Sequence, residues 1–495
     1  MAYKSFRDFL TDIKRWGELK EISGAHWDLE MSTIAEIAYR EGKRPVPAFL
    51  FDEIPGYPKG FRTLFGILPS PRRIASALCL PLPEDKTDVA SVTRSWAAMK
   101  QREIKLIPPK FVASGLVQEN SFSGEEVDLT KFPAPRCHEL DTPNRYIGTG
   151  HCVIQMDPDE GWVNMGTYRV MLVDHNRVTL HICEGKHGSI IYENRYLSKG
   201  KVMPAAVAIG MEPTLWFTSQ YSGVPWGVSE YDYAGGIKGE PIEVIKGPQT
   251  GLPLPAHAEI VLEGECHPGE YADEGPFGEW HGYYANLGLT PVPEPVMRVK
   301  AVYHRDDPIL TSSSPAVPRG VNSLTTAMSR AAAIWAGLDK VGLPGIQAVW
   351  CPEETGSFLS VVVSIKQMYA GHSRDVGLIA LQLGGSHSRH CIVVDDDIDP
   401  YDGSQIAWAM ATRADPERSI QIVGYCASST ADPIIPEEEK RKARTAPKPL
   451  VAPRILVDAC RPYEHKAEWY PIARASSELR AKILEKWGSE LKELF

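Results

Sequence analysis

The sequence predicts a multidomain α+β protein, and three observations carry that reading. A chain of 495 residues exceeds what one hydrophobic core serves, so two or three domains are expected. Apolar spacing is helical near the N-terminus and shifts to a period of two between about residues 111 and 315. Beyond residue 316, helical and strand patterns alternate, as in α/β domains. The expected layout is a small N-terminal α/β domain (1–110), a central barrel-like β domain (111–315), a C-terminal α/β domain (316–465) and a terminal docking helix (466–495).

Each element follows from local pattern. Phe6, Phe9, Leu10, Ile13, Trp16 and Leu19 recur at helical spacing, and Ser5 with Asp8 resembles a capping box, which predicts a helix over 5–19. A second helix is expected from Met31 to Arg40. Ala48-Phe49-Leu50-Phe51, bounded by prolines, reads as a strand. In the central region strands are expected over His151–Met156, Trp162–Val173 and Val178–Cys183, joined by turns at Asp157–Gly161 and Asp174–Arg177. Ala258–Glu265 and Val296–Val302 alternate apolar and polar residues, as strands with one buried face do. Farther on, Ser323–Leu338 and Gly403–Thr412 are helical in pattern, while Phe358–Ile365 and Cys391–Val394 read as buried strands. Leu479, Ile483, Leu484, Trp487, Leu491 and Leu494 form one stripe over 476–494, which needs a docking surface in this chain or a partner subunit.

Composition narrows the class. The chain is 43% hydrophobic and 23% charged with a formal net charge of −10, which disfavours generic nucleic-acid binding. The basic run Lys440–Arg444 follows three glutamates and reads as a solvated face. Nine cysteines without a CxxC indicate neither a zinc ribbon nor a disulfide framework, and they agree with a reducing compartment. There is no apolar signal core at the N-terminus and no apolar run of about eighteen residues. A cytoplasmic protein with neither a membrane nor a nucleic-acid partner is therefore expected.

Two stretches could carry chemistry. In Asp273-Glu274-Gly275-Pro276-Phe277-Gly278-Glu279-Trp280-His281-Gly282, glycines and proline disfavour a regular element and favour a turn that can aim both glutamates into one pocket. Paired carboxylates on a rigid turn suit proton transfer, although most glutamates in such loops are simply solvated. The second stretch is Asn164-Met165-Gly166-Thr167-Tyr168-Arg169. An unbroken strand would put Asn164 and Arg169 on opposite faces, so a ligand crossing the strand end or a bend at Gly166 is needed to use both. Downstream lie Lys186-His187 and Glu230. An amide oxygen, an imidazole and a carboxylate suit Mn2+ or Mg2+ better than a thiolate-rich zinc site would. Asp395–Asp399 reads as a turn and helix cap, and His387 and His390 as surface or interface residues.

In this order and at these separations, Asn164…Arg169, Lys186-His187, Glu230 and Glu274…Gly282 resemble the UbiD family of reversible decarboxylases, which use prenylated FMN. The likeness extends to Phe6–Leu10, Asp395–Asp399 and Trp408–Arg413. The resemblance implies a split β-barrel that binds the flavin. It implies that Asn164, His187 and Glu230 link Mn2+ or Mg2+ to the flavin phosphate, with a K+ site nearby. Thr167, Tyr168, Arg169, Lys186 and His187 then line the flavin, and Arg169, Glu274 and Glu279 form a Glu-Arg-Glu catalytic network. A C-terminal-domain lysine reaches the phosphate in the family; Lys440, Lys442 and Lys448 all stay open for that role. A separate prenyltransferase supplies the cofactor, and a homodimer or an assembly of dimers is implied.

The implied function is reversible, non-oxidative decarboxylation of an aromatic, heteroaromatic or α,β-unsaturated carboxylic acid, with Glu279 as proton donor. Two alternatives stay open: an enzyme acting chiefly as a carboxylase, and a catalytically silent flavin- or metal-binding assembly protein. Arg169, Glu274 and Glu279 together argue against silence. Trp280 is expected to border the substrate. Arg319 and Asn322 either bind a second polar group on it or stabilise their own loop, and a phenolic or heteroaromatic acid is preferred over cinnamic acids.

Overall fold

The structure is a computed structural model that describes residues 2–141, 143–220, 223–285, 288–445 and 449–491. The first helix, Phe6–Arg15, opens on the expected capping box. The Ser5 N–H donates to the Asp8 carboxylate at 3.0 Å and the Asp8 N–H donates to the Ser5 hydroxyl at 3.3 Å. Its buried face is Phe6, Phe9, Leu10 and Ile13. Strands Leu19–Ser23, Ala48–Asp52 and Arg62–Phe65 lie side by side, and the distant strand Ile309–Ser312 completes this sheet, parallel to Arg62–Phe65. The N-terminal sheet is thus built from two stretches more than two hundred residues apart in the chain.

The central region is a sheet of nine strands. Eight run in the order Tyr146–Gly148, Val170–Leu172, Arg177–Leu180, Val292–His304, Ile260–Glu274, Met203–Ile209, His151–Met156, Val163–Gly166; Asn120–Ser123 pairs with Val292–His304. Val163–Gly166 ends this path and Val170–Leu172 lies near its start, yet only Thr167, Tyr168 and Arg169 join them. Three residues span little more than about 14 Å between flanking Cα atoms. The sheet must therefore curl until its margins nearly meet, giving a barrel-like form. His151 crosses the seam, its Nε2 lying 2.8 Å from the Tyr168 carbonyl.

The single strand expected over Trp162–Val173 is divided at this seam. The break falls after Gly166, so of the two ways to use both Asn164 and Arg169 the chain takes the bend. A Cβ on Gly166 would lie 2.3 Å from the Tyr168 ring, so the tyrosine folds back only because glycine leaves that space. The long strand Ile260–Glu274 has register shifts at Glu263/Gly264 and Cys266/Tyr271, irregularities that bend a strand and re-aim its end.

The C-terminal sheet has the order Ile346–Trp350, Ser360–Ile365, His390–Asp395, Val451–Ala459, Ile420–Ala427. Its three inner strands are mutually parallel and its edge strands antiparallel. The helix Ser323–Val341 packs into the largest core, which also takes in Phe6, Trp216 and Val363 and so runs through all three regions. The terminal helix Ser477–Leu491 forms as expected. Its stripe of Leu479, Ile483, Leu484 and Trp487 is exposed, and none of its described residues is buried. Among the described residues, no helix is long and apolar enough to cross a membrane.

Candidate active site

Three predicted ligands gather around one strand end. Asn164 is buried on Val163–Gly166, His187 begins the short helix His187–Ile190, and Glu230 begins Glu230–Lys238 behind the Ser229 cap. The Met165 N–H donates to Glu230 Oε2 at 2.7 Å, tying the carboxylate to the residue beside Asn164. The Tyr168 phenol oxygen accepts from the Gly188 N–H at 3.0 Å and lies 3.4 Å from Asn164 Nδ2, tying the His187 turn to the same strand. Edge-on contacts with Trp162 and Trp226, at 5.8 and 5.4 Å between ring centroids, fix the His187 ring.

These residues fit a divalent cation. Burial pushes the Glu230 carboxyl up to about 8, against the backbone N–H of Met165, and among the described residues no cationic side chain pairs with it. A buried carboxylate without a counter-charge is costly, and a bound cation removes that cost. Burial also lowers the basicity of His187, which favours the neutral imidazole a metal needs. The Tyr168 ring packs into the buried cluster with Val153 and Val170, so its backbone is the part turned to the seam. The Thr167 hydroxyl reaches the carbonyls of His151 and Ser219 at 3.3 and 3.5 Å.

Arg169, on the same connection, meets both glutamates. Its Nε and Nη2 donate to the two oxygens of Glu274 at 2.8 and 2.6 Å, and Nη1 donates to Glu279 Oε1 at 3.1 Å. Glu274 is the last residue of its strand and is buried; Glu279 lies in the irregular segment beyond. The guanidinium also stacks over Phe277, 4.5 Å from the ring centroid, and Phe277 packs edge-on against Tyr146. Burial acts to lower the basicity of Arg169, but Glu274 and Glu279 outweigh it and hold the group above its ordinary value. A cleft of about 380 Å³, lined by His138, Gly278, Glu279, Tyr284 and Pro315 among others, connects Glu279 with the surroundings.

Sequence reasoning missed His181, Cys183 and Glu294. The His181 N–H bonds to the Arg169 carbonyl at 3.1 Å, extending the register that pairs Val170 with Leu180. The register of the next strand pair, in which Thr179 faces Val296, carries on to set His181 opposite Glu294. One row of the sheet therefore runs Arg169, His181, Glu294, with Glu274 a diagonal step away. His181 Nδ1 lies 2.8 Å from Glu294 Oε1 and 3.6 Å from Glu274 Oε2, and Nε2 lies 3.5 Å from the exposed Cys183 Sγ. The signal was present in the predicted turn Asp174–Arg177: counting outward equally from it brings Arg169 to within one residue of His181.

Trp280 packs against the C-terminal region. Its ring lies 4.5 Å from Phe358 and 5.7 Å from His387, and a Cβ on Gly356 would come within 2.8 Å of it. His387, expected at a surface or interface, bonds the Ser429 hydroxyl through Nε2 at 2.9 Å. Burial, then the fields of Arg330 and Lys186, lower its basicity to about 4, so Lys186 faces this junction. Asn322 donates to the Ser313 hydroxyl at 2.9 Å, while Arg319 sits near the Arg44–Glu353 pair and has a buried Nε with no hydrogen-bond partner. Of the three lysines, Lys440 is buried and donates to the Ala285 carbonyl at 2.6 Å within the field of Glu279, Lys442 pairs with Glu438 at the surface, and Lys448 lies outside the described residues.

Comparison with known proteins adds an independent finding. Family descriptions of 3-octaprenyl-4-hydroxybenzoate carboxy-lyase match the chain in three consecutive parts: the N-terminal domain over residues 10–91, the Rift-related domain over 110–318 and the C-terminal domain over 323–459. The chain is 35% identical over 427 residues to pyrrole-2-carboxylic acid decarboxylase of Pseudomonas aeruginosa, covering 83% of each chain. The UbiD-class enzyme HmfF from Pelotomaculum thermopropionicum in complex with FMN superposes with a TM-score of 0.82 at 24% identity, covering 98% of this chain and 100% of that one. An evolved dimeric form of HmfF in complex with prFMN superposes at 0.77 and 24% identity, over 96% and 98%.

Proposed function

The chain belongs to the UbiD family of carboxy-lyases, and from that membership we propose that it uses prenylated FMN to decarboxylate a small aromatic or heteroaromatic acid reversibly and without net oxidation. Pyrrole-2-carboxylic acid, the substrate in the name of the relative from Pseudomonas aeruginosa, is the first candidate. The observation that carries the reading is the unequal grip of Arg169 on two carboxylates. Glu274 is held by both oxygens and Glu279 by one. A carboxylate with both oxygens engaged is an anchor, whereas one with a free oxygen can carry a proton.

The residues divide the work accordingly. Glu274 fixes the guanidinium, and the guanidinium sets the position of Glu279. As CO2 leaves, the substrate carbon needs a proton, and the protonated Glu279 carboxyl gives it. Arg169 stabilises the carboxylate left behind, and the cleft beside Glu279 lets the proton be replaced. Prenylated FMN, when bound, supplies the electron sink that avoids a free aryl or vinyl carbanion. Asn164, His187 and Glu230 would hold Mn2+ or Mg2+ at its phosphate, with Thr167, Lys186 and the Tyr168 backbone beside it. Structures of HmfF with FMN and prFMN support the choice of cofactor. The exposed stripe of the terminal helix would be covered by a second copy of this chain.

The test is production of the protein with and without a flavin prenyltransferase, followed by visible spectra and CO2 release from a panel of acids led by pyrrole-2-carboxylate. Glu279→Gln is expected to retain the cofactor spectrum and lose about 100-fold or more in kcat. Full turnover in that variant would remove Glu279 as donor, and absence of CO2 release from every acid would overturn the reading.

A further inference from the structure

Three carboxylates and one guanidinium gather in and beside the row described above: Glu274, Glu279 and Glu294 with Arg169. Fully ionised, that set carries three negative charges against one positive. Uncompensated buried charge is costly, so a further positive charge is favoured there. His181 stands where a proton supplies it, between Glu294 at 2.8 Å and Glu274 at 3.6 Å. The same three side chains present ligand atoms within 4.8 Å of one another. A divalent ion there would compete with Arg169, which already occupies both oxygens of Glu274.

We infer that His181 is a positioning residue of the decarboxylation site: it keeps a resident proton shared with Glu294, holds Glu274 and Glu294 as carboxylates, and so reserves the second, transferable proton for Glu279. This rests on the reading of Glu279 given above. The groups facing His181 are Arg169 and Cys183 on its own hairpin, Glu294 on the next strand, Glu274 on the strand beyond it, and Glu279 across Arg169. Burial and Arg169 act to deprotonate the imidazole. Cys183 and Glu294 act the other way and prevail, taking it up to about 10. Reciprocally, the charges of His181 and Arg169 hold the exposed Cys183 thiol below its ordinary value. The Glu294 carboxylate is 10% exposed and the His181 ring 12%, so solvent screening of this pair is weak.

Two measurements test the inference. The first needs no turnover: 13C-histidine NMR of the full-length protein across pH 6–9, with His181 identified by the resonance missing in His181→Gln. In the wild type that resonance is expected to stay at the imidazolium position throughout, and in Glu294→Gln it should titrate at lower pH. A wild-type His181 titrating near 6.5, or one unchanged by Glu294→Gln, overturns the shared proton. The second is the pH profile of kcat in the reconstituted holoenzyme. His181→Gln is expected to lower kcat about 10- to 100-fold with KM little changed. Its alkaline limb should move upward, because removing a positive neighbour makes the remaining acid harder to ionise. Wild-type kcat and an unmoved limb would refute the positioning role while leaving the decarboxylase reading intact. Absence of any turnover in wild type would refute that reading instead, with the NMR result still deciding the state of His181.

Discussion

Glu230 shows how far the chemistry of single residues reaches. Its carboxyl is buried beside the Met165 backbone N–H, and burial takes it from an ordinary 4.5 to about 8. A group raised in this way favours the folded state while protonated. Its contribution is present in full below about 4.5 and is lost as pH rises through about 8. Apoprotein without divalent cations should therefore melt progressively lower across that window. Mn2+ should reverse the loss above pH 8, and a cation at about 100 times its Kd adds about 2.7 kcal/mol. Thermal melts of wild type and Glu230→Gln, with and without Mn2+, check this; a Mn2+ response that survives in the variant would exclude Glu230 as a ligand. At this scale the sequence was informative wherever a residue's chemistry is legible in its own neighbourhood. Arg169, Glu274 and Glu279 were named from motif order, and the structure brings the three into direct contact. His181 and Glu294 were not named, because their roles come from cross-strand register, which connects residues more than a hundred positions apart.

Among the elements, period and punctuation located most helices and strands to within a few residues, including His151–Met156, Ser323–Val341 and Gly403–Arg413. The strand over Trp162–Val173 was read as continuous, since alternation alone does not reveal that Tyr168 must fold over Gly166. Glu274 was expected in a turn and instead ends a fifteen-residue strand, lengthened by irregularities that blur the period of two. The terminal helix makes a direct prediction. Four large apolar side chains on it are 40% exposed or more, an arrangement stabilised when a second chain covers it. Deleting residues 476–495 should convert a dimer or larger assembly to smaller species in light scattering while leaving the Arg169 network folded. An unchanged mass would assign the stripe no part in assembly.

Across the whole molecule, one apolar core runs through all three regions and the N-terminal sheet borrows Ile309–Ser312 from far along the chain. Residues 1–110 expressed alone therefore lack a buried strand of their own sheet, and they should show no cooperative thermal transition by circular dichroism. A sharp two-state melt of that fragment would contradict the interdependence. The multidomain α+β class was legible in the sequence because texture changes along the chain; this exchange of a strand was not, since a strand's pattern does not say which sheet receives it. The three-residue passage Thr167–Arg169 has a last implication, for how this molecule can vary. Its length is set by the distance between the two margins of the curled sheet, and Arg169 sits at its far end. An extra amino acid there would swing the guanidinium off both glutamates, whereas the solvent-facing turn around Lys86 has room for several. Tolerance to insertion should thus differ sharply between these two connections, with the shorter leash belonging to the chemistry.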